Sequence, residues 1–359
     1  MTFSGFVTPD DARWASALRA CAHDFYHIPA YVALEAQWTG ATPLAFVHTE
    51  HDGTMLLVLH ERPTPSGRYT DAATPYGYPA PVWSSNCDAS FRQRALAAYD
   101  DAARGRGLVA TFMRLHPVLQ PSIEAHFPQG GGAWSEVRRG VTLLLPLERD
   151  EDTFLAGMAH GHRADLRRLK RAGARVVVDG DAVWSAFADI YLANMHKIGA
   201  DPSLCYTSDY FSKLRRALGN QLICAAVVDD ASGEPMCAAL FSLVGDTMQY
   251  HLSGTAPLFA RLAPVKLLLS EMRKLAMGKG VAWFHLGGGL GSGRDALHAF
   301  KQRFGGPEIP FATVSVLHDR AASDDEWEWV CKQEGMGPIP PVGSFFPPYR
   351  ARISTGATA

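Results

Sequence analysis

One lysine beside a glycine-rich loop is the residue best suited to chemistry in this chain. Lys301 follows the run HLGGG at 285–289, and Leu297, Phe300 and Phe304 recur around it at spacings of three and four. This spacing predicts a helix with an apolar stripe, and Lys301 lies next to that stripe, so its amine should reach the cleft that the loop forms. The same pattern is also compatible with a plain strand-to-helix connection that carries a solvated lysine.

The elements that must position Lys301 are predicted from short-range patterns. An apolar run over 281–286, bounded by glycines, predicts a buried strand, followed by a loop over 287–293 and a helix over 294–304. Asp295 comes just before that helix, and we expect it to cap the helix rather than to act as a general base. Backbone N–H groups at a helix start favour anions. Three loop glycines are therefore candidate donor-binding residues: Gly287, Gly288 and Gly289.

These motifs carry a family resemblance. The runs HLGGG and FKQRFGG, with Asp295 and Leu297 between them, resemble the C-terminal motif of the Fem-like (FemAB-type) branch of the GNAT acyltransferase superfamily. Three further segments agree with that family in order: HRADLRRLKRAG at 162–173, MHKIGADPSLCYTSDYFSKLRR at 195–216 and MQYHLSGT at 248–255. The resemblance covers roughly residues 140–317 and is weaker before them.

The resemblance implies both a fold and a role for the lysine. Proteins of this branch have two GNAT-type domains and transfer an aminoacyl or acyl group to an amine. The implied fold class is α/β (α+β), with tandem GNAT-like domains, each a mixed sheet flanked by helices, and a cleft between them. The resemblance also implies that Lys301 contacts the oxyanion of the reaction or the terminal phosphate of the donor. We expect domains at 1–147 and 148–337, followed by a Pro-rich tail at 338–359 that wraps the body and ends in disorder.

A basic helix is the second candidate feature. Residues 162–175 carry six Lys or Arg against one Asp, and helical spacing of three and four places much of this charge on one face. Such a face could contact phosphates of a donor, or it could simply be the solvated side of an amphipathic helix. The candidate donor-binding residues here are Arg163, Arg167 and Lys170.

A strand over 248–254 supplies the remaining catalytic candidates. Alternation predicts that Met248, Tyr250 and Leu252 lie on one face, with His251 on the other. In a GNAT-type domain this region borders the catalytic cleft, so Tyr250 or His251 could position the amine or carry its proton. A histidine that faces an ordinary helix is the alternative.

Polar and aromatic residues elsewhere could line an acceptor pocket. The loop RYTDAATPYGYPAPVW at 68–83 is rich in rings, and RLHP at 114–117 follows a predicted strand, a usual place for ligand contacts. Surface exposure or packing of these residues is the alternative. The acceptor-binding candidates are Tyr76, Arg114, His116, Asn194, His196 and Tyr206.

Composition excludes several other classes. The net charge of −2 and the pI near 6.7 argue against a general nucleic-acid binder. Six cysteines without a CxxC pair, and fourteen histidines without an HExxH motif, predict neither a metal site nor a disulfide framework. No run reaches the length of a membrane span, and the first residues do not have the pattern of a secretion signal, so we expect a cytoplasmic protein without a bound cofactor.

The choice of donor depends on a missing motif. Acetyl-CoA-dependent GNAT domains usually carry a loop of the type [QR]xxGx[GA] between a strand and a helix, whereas this chain has GTAPLFARLAPVK at 254–266. We therefore expect an aminoacyl-tRNA-dependent transferase that forms an amide on the amine of a small acceptor, a cell-wall precursor or a secondary metabolite. The alternatives are an acyl-CoA-dependent N-acyltransferase and a non-catalytic protein that binds a ligand or partner.

Overall fold

The chain forms two compact units. In the computed structural model, residues 2–147, 150–289, 293–335 and 345–351 are described. The first unit is Met1–Arg138 together with Ala312–Ala359, and the second is Arg139–Phe311. The chain therefore passes from the first unit to the second and later returns.

The first unit begins with strands, two helices and a hairpin. Its elements are β1 (Phe3–Val7), α1 (Ala12–Ala20), α2 (Pro29–Thr39), β2 (Thr42–Glu50), β3 (Gly53–Pro63), β4 (Thr70–Ala73), β5 (Val82–Trp83), α3 (Ala89–Arg106), β6 (Leu108–Arg114) and the start of β7 (Ala133–Pro146). A hairpin turn at Asp52-Gly53 joins β2 to β3, and Glu50 pairs with Gly53 across it.

The second unit contains helices and strands in a similar order. Its elements are α4 (Glu151–Gly157), α5 (His160–Arg171), β8 (Ala174–Val178), α6 (Asp181–Lys197), α7 (Ser208–Leu218), β9 (Leu222–Asp229), β10 (Pro235–Val244), β11 (Thr247–Thr255), α8 (Val265–Gly278), β12 (Trp283–Gly287) and α9 (Ala296–Gln302). The chain then returns to the first unit through β13 (Glu308–Leu317) and α10 (Arg320–Glu334).

Both units contain a mixed sheet with the same succession of strand directions. In the first, β1-β2-β3-β4 are antiparallel neighbours, β4 and β6 are parallel, and β6 and β13 are antiparallel. In the second, β8-β9-β10-β11 are antiparallel, β11 and β12 are parallel, and β12 and β7 are antiparallel. In each unit two α-helices precede the second strand and one precedes the parallel strand. This duplication has no counterpart as a repeat in the sequence.

The division of the chain differs from the sequential domains expected from sequence. Residues 312–335 were expected in the second domain, but they pack with the first unit, because the later part of β13 pairs with β6, from Thr313 with Arg114 to Leu317 with Ala110. The predicted boundary residue 148 lies outside the described residues, as do most residues of the predicted tail. Within the tail, Phe346 and Tyr349 pack against an apolar cluster that includes residues of α10.

The core of the second unit positions the region around Lys301. One face of its sheet packs on α4, α5 and α8, where the buried side chains are aliphatic or aromatic. Phe241, Met248, Phe284 and Phe304 belong to this core, so α9 and the end of β12 lie at its edge. In the described part of the chain, no helix combines the length and the hydropathy that crossing a bilayer requires.

Candidate active site

The helix that carries Lys301 turns a different face to the core from the one predicted. Leu297 is 46% exposed, whereas His298 and Lys301 are buried, and Phe304, just after α9, is 1% exposed. The buried face thus follows 298, 301 and 304, and the predicted stripe through Leu297 is wrong. The shift arises because the sheet approaches the helix on the side of Lys301, so the lysine lies within the buried face and not beside it.

The amine of Lys301 is held by few partners. Its side chain is 6% exposed, and Nζ donates a hydrogen bond to the carbonyl of Gly288 at 2.7 Å. Nζ also lies 5.6 Å from the centroid of the Tyr250 ring. Burial lowers the pKa of Lys301 to about 8, and the Asp295 carboxylate opposes this change. The amine is therefore a cation at neutral pH that changes charge just above it.

The glycine loop brings its backbone close to the start of α9. Gly287 ends β12 with φ of 72°, in the left-handed region that favours glycine. A Cβ at Gly289 would overlap the Asp295 carboxylate, which caps α9 by accepting from the His298 N–H at 2.8 Å. The predicted capping role of Asp295 is confirmed. Residues 290–292 of the predicted loop lie outside the described residues.

A β-bulge corrects the predicted alternation along β11. Leu240 pairs with Leu252 while Phe241 pairs with Tyr250, so His251 is an extra residue in the strand. Tyr250 and Ser253, which alternation would place on opposite faces, consequently lie together, and the Tyr250 hydroxyl donates to Ser253 Oγ at 2.5 Å. Bulges bend a strand, interrupt its ladder and are frequent next to active sites. Burial raises the pKa of Tyr250, so its hydroxyl stays protonated.

Two residues near Lys301 were missed in the sequence. Ser253 joins Tyr250 only because of the bulge, for which the sequence gives no signal. His162 of α5 is buried, and one of its ring nitrogens lies 3.1 Å from the Phe300 carbonyl. Burial lowers the pKa of His162 to about 4, and the nearby Lys266 charge adds to this. The sequence did contain a signal for the burial of His162. This residue lies four and seven positions before Leu166 and Leu169, and that spacing places all three on one face of a helix.

The basic helix separates into paired and unpaired charges. Lys170 donates to Glu271 of α8 at 2.7 Å, and Arg168 pairs with Asp165 at 2.9 Å. Arg163 and Arg167 form no ion pair with any residue in the described ranges. Lys170 therefore has a structural partner, whereas two of the predicted donor-binding cations remain available to a ligand.

Most backbone N–H groups at the start of α8 have acceptors within the protein. The segment before it forms a 3-10 helix, Pro257–Leu262, and Ala263 has φ of 52°. Three N–H groups of the first turn of α8 have backbone acceptors: Lys266 donates to Ala263, and Leu267 and Leu268 donate to Pro264. An anion at this helix start would have to replace these bonds to reach most of the N–H groups that such sites use.

The acceptor candidates of the second unit are dispersed. Tyr206 is buried in a stack of rings, 4.1 Å from Tyr210 and 6.2 Å from Tyr191 between centroids. Asn194 is half-buried on α6, and His196 is exposed in the last turn of that helix. None of these three residues lines the cavity of about 850 Å³ in the first unit.

The first unit brings two acceptor candidates together and separates the third. Tyr76 and Arg114 both line a cavity of about 850 Å³. His116 is fully buried and outside that lining. Its Nδ1 accepts from the backbone N–H of Val118 and Leu119 at 3.2 and 3.1 Å, which fixes the tautomer in which Nε2–H donates to Asp24 at 3.0 Å. His116 is thus occupied in positioning the chain. Among the described residues, no three His, Cys, Asp or Glu are placed to share a metal ion.

Comparison with known proteins identifies the domain and the fold. Residues 158–301 match the family described as an acetyltransferase (GNAT) domain. No curated protein matches the chain. The structure of FemX is similar with a TM-score of 0.61 and 14% identity, over 85% of this chain and 96% of FemX.

Two further structures share the fold. The C-terminal domain of a putative lysylphosphatidylglycerol synthetase from Agrobacterium fabrum matches with a TM-score of 0.55 and 16% identity, over 87% of this chain and 92% of that one. L-PGS from Bacillus licheniformis matches with a TM-score of 0.53 and 11% identity, over 92% and 98%. The matched domain and the shared fold agree with the GNAT resemblance that the motifs indicated. Residues 158–301 thus match a GNAT acetyltransferase domain, and the fold of the chain is similar to that of FemX.

Proposed function

We propose that this protein transfers an aminoacyl group from aminoacyl-tRNA to the amine of a small acceptor, a cell-wall precursor or a secondary metabolite. The observation that carries the proposal is Lys301, a buried cation at the edge of the GNAT domain whose amine donates to the backbone carbonyl of Gly288. A buried charge lowers stability unless it is fully paired, so its presence here favours a functional role.

The chemistry requires a group that stabilises negative charge. The acceptor amine attacks the ester carbonyl carbon, a C–N bond forms, and the C–O bond to the tRNA ribose breaks. The proton lost by the amine finally reaches the leaving ribose oxygen. We assign the Lys301 ammonium to the tetrahedral oxyanion, where such a donor contributes about 3–4 kcal/mol to the transition state.

Tyr250, Ser253 and His251 complete this assignment. The ring of Tyr250 lies 5.6 Å from Lys301 Nζ and orients the amine, and the Tyr250 hydroxyl donates to Ser253 Oγ at 2.5 Å. We propose that His251, the extra residue of the bulge, carries the proton of the amine, because an imidazole can both accept and donate a proton.

The hydrogen-bonded N–H groups at the start of α8 support a tRNA-borne donor. A CoA pyrophosphate at that helix would need N–H groups that Ala263 and Pro264 already occupy. Arg163 and Arg167, which have no ion pair in the described residues, are proposed to contact the donor's phosphates, together with the backbone of Gly287, Gly288 and Gly289. Lys170 is proposed only as a weaker contact, because Glu271 neutralises it.

The acceptor is proposed to contact Tyr76 and Arg114. Asn194, His196 and Tyr206 remain further candidates, although Tyr206 is stacked between two rings and His196 is exposed. His116 would act only by positioning, because both of its ring nitrogens are engaged within the protein. A cytoplasmic location, where charged tRNA is available, is part of the proposal.

A second candidate is an acyl-CoA-dependent N-acyltransferase, which the acetyltransferase description of the matching domain favours. The two are separated by incubating the protein with a panel of amines and either radiolabelled aminoacyl-tRNA or acetyl-CoA. We expect labelled amide from the tRNA pool, with none after ribonuclease treatment. CoA release and labelled product without tRNA would refute the tRNA donor and establish the alternative.

A further inference from the structure

A large cavity lies in the first unit near the end of β6. Its volume is about 850 Å³, and its walls come from β3, the segment after β4, the end of β6, α10 and the C-terminal residues 345–351. Ligand sites commonly have volumes of about 300–1,000 Å³. The cavity is therefore large enough for a small molecule and is built from parts distant in sequence.

Arg114 supplies an uncompensated charge to this cavity. Its side chain is half-buried, its guanidinium carbon lies 5.9 Å from the centroid of the Tyr76 ring, and its backbone N–H is fixed by Thr74 Oγ1 at 3.1 Å. Across the described ranges, no carboxylate forms an ion pair with Arg114. A guanidinium over a ring and without a carboxylate suits a bidentate bond to a phosphate or carboxylate.

The opposite wall adds further positive charge and is firmly attached. Buried Asp71 accepts from Arg62 at 3.0 Å through one oxygen and pairs with Arg350 through the other. Arg350 also donates to the Pro63 carbonyl at 2.5 Å. The lining thus holds three guanidiniums, of which buried Asp71 pairs with two, while the carboxylate of Glu334 is exposed.

The rest of the lining is mainly aromatic. Six rings contribute to it: Tyr76, Phe112, Trp329, Phe345, Phe346 and Tyr349. Rings of this kind pack against flat, weakly polar groups at small cost in conformational entropy. The combination of rings and one guanidinium without a carboxylate partner suits a ligand that is both aromatic and anionic.

We propose that this cavity binds an anionic small molecule that carries a flat ring, with its phosphate or carboxylate on Arg114. The C-terminal segment 345–351 forms one wall and Trp329 stacks on the ring. The inference deepens the proposed acceptor contacts and rests on the proposed function for its biological role. Its test measures binding alone, so the absence of aminoacyl transfer would leave it standing.

The test uses three ligands with one ring and different charges. Binding of 1-naphthyl phosphate, 1-naphthoate and 1-naphthalenemethanol to the full-length protein is measured by titration calorimetry. We expect the charged ligands to bind at least tenfold more tightly than the alcohol. Arg114→Gln should weaken the tighter-binding anion about ten- to hundredfold and the alcohol less than twofold, because a charge-assisted bond is lost. Whichever anion binds more tightly distinguishes a phosphate from a carboxylate ligand.

Arg92 provides a matched control. It is also half-buried over a ring, 5.6 Å from the Trp83 centroid, but it lies outside the cavity. Arg92→Gln should leave all three affinities within twofold, and Trp329→Leu should weaken all three ligands alike. Equal losses in the Arg114→Gln and Arg92→Gln variants, or no preference for the anions over the alcohol, would overturn the proposal.

Discussion

The two units differ most where their parallel strands end. After β6, the first unit places His116, whose ring is bonded to Asp24 and to two backbone N–H groups. After β12, the second unit places the glycine loop and the Lys301 amine, which has the Gly288 carbonyl and a ring beside it. The part of the chain that follows the parallel strand thus holds a satisfied polar pair, His116 with Asp24, in one unit and a sparsely satisfied cation, Lys301 on α9, in the other.

The adjoining strands show the same difference. In the first unit, β3 and β4 pair in unbroken register from His60 with Ala73 to Pro63 with Thr70. In the second, the corresponding pair, β10 and β11, is interrupted at His251. Regular ladders and saturated polar groups are what stability favours, whereas interruptions and incompletely paired charges are tolerated at sites of function. The comparison therefore supports the proposal that the chemistry takes place in the second unit.

The largest effect is expected from Lys301→Met. Methionine keeps the apolar stem but removes the charge, so turnover at saturating donor should fall about 100- to 1,000-fold, or about 3–4 kcal/mol. Lys301→Arg should restore part of it, since its planar head places donors differently. A folded Lys301→Met variant with turnover within threefold of the parent would remove Lys301 from the mechanism.

The first unit should respond to loss of a buried pair with stability instead. Asp100 accepts from His318 at 2.6 Å and from the Gly132 N–H at 2.6 Å, and also pairs with Arg104. Asp100→Ala should lower the free energy of unfolding by about 3 kcal/mol, because buried donors are left without an acceptor. Turnover at 20 °C below the new melting temperature should be unchanged. Chemical denaturation and steady-state assays measure the two effects, and the opposite pattern would contradict the comparison.

The charge of Lys301 should appear in the pH dependence of stability. Its pKa is about 8 in the folded protein and ordinarily 10.5, so between these values the unfolded chain binds more protons. The free energy of unfolding should therefore rise with pH across this window, by up to about 3 kcal/mol in total. Urea denaturation at pH 7.5 and 9.5 should show this rise relative to Lys301→Met. An identical pH response in both proteins would contradict the interpretation of Lys301 as a buried cation.

The pH dependence of turnover distinguishes two roles for the same amine. If Lys301 acts as the ammonium, activity should fall as the pH rises through about 8, and the Arg variant should lose that fall. Activity that rises through the same pH would assign Lys301 to general-base catalysis instead.

The hydroxyl pair on the bulge should have a smaller effect. Tyr250→Phe keeps the ring beside Lys301 but removes the bond to Ser253, so kcat should fall about tenfold, as expected for one hydrogen bond. Ser253→Ala is the matched variant and should lower kcat by a similar factor. A loss of a hundredfold or more only in Tyr250→Phe would make its hydroxyl a direct proton donor.

The smallest effect is expected on the basic helix. Arg163→Gln and Arg167→Gln together should raise the KM for aminoacyl-tRNA several-fold, with a smaller change at high salt, because phosphate contacts are screened. Lys170→Gln is the control, since Lys170 pairs with Glu271 and should mainly lower the melting temperature slightly. Equal KM changes at low and high salt would show that the arginines act through structure.

Local patterns in the sequence determined much of the second unit. The apolar run at 281–286 gave the strand, the glycines gave the loop, and Asp295 gave the cap of α9. The spacing of Leu166 and Leu169 likewise gave the buried face of α5. These features could be predicted because the period of a helix or strand and the chemistry of a cap involve residues within a few positions of each other.

Long-range pairing decided the remainder. The exposed side of Leu297, the bulge at His251, the bond between His116 and Asp24, and the return of β13 to the first unit all depend on segments far apart in the chain. The sequence by itself thus determined which elements form around the lysine. Tertiary structure alone decided how deeply the amine is buried and which groups meet it, because burial and strand register are set by packing partners that local periodicity does not specify.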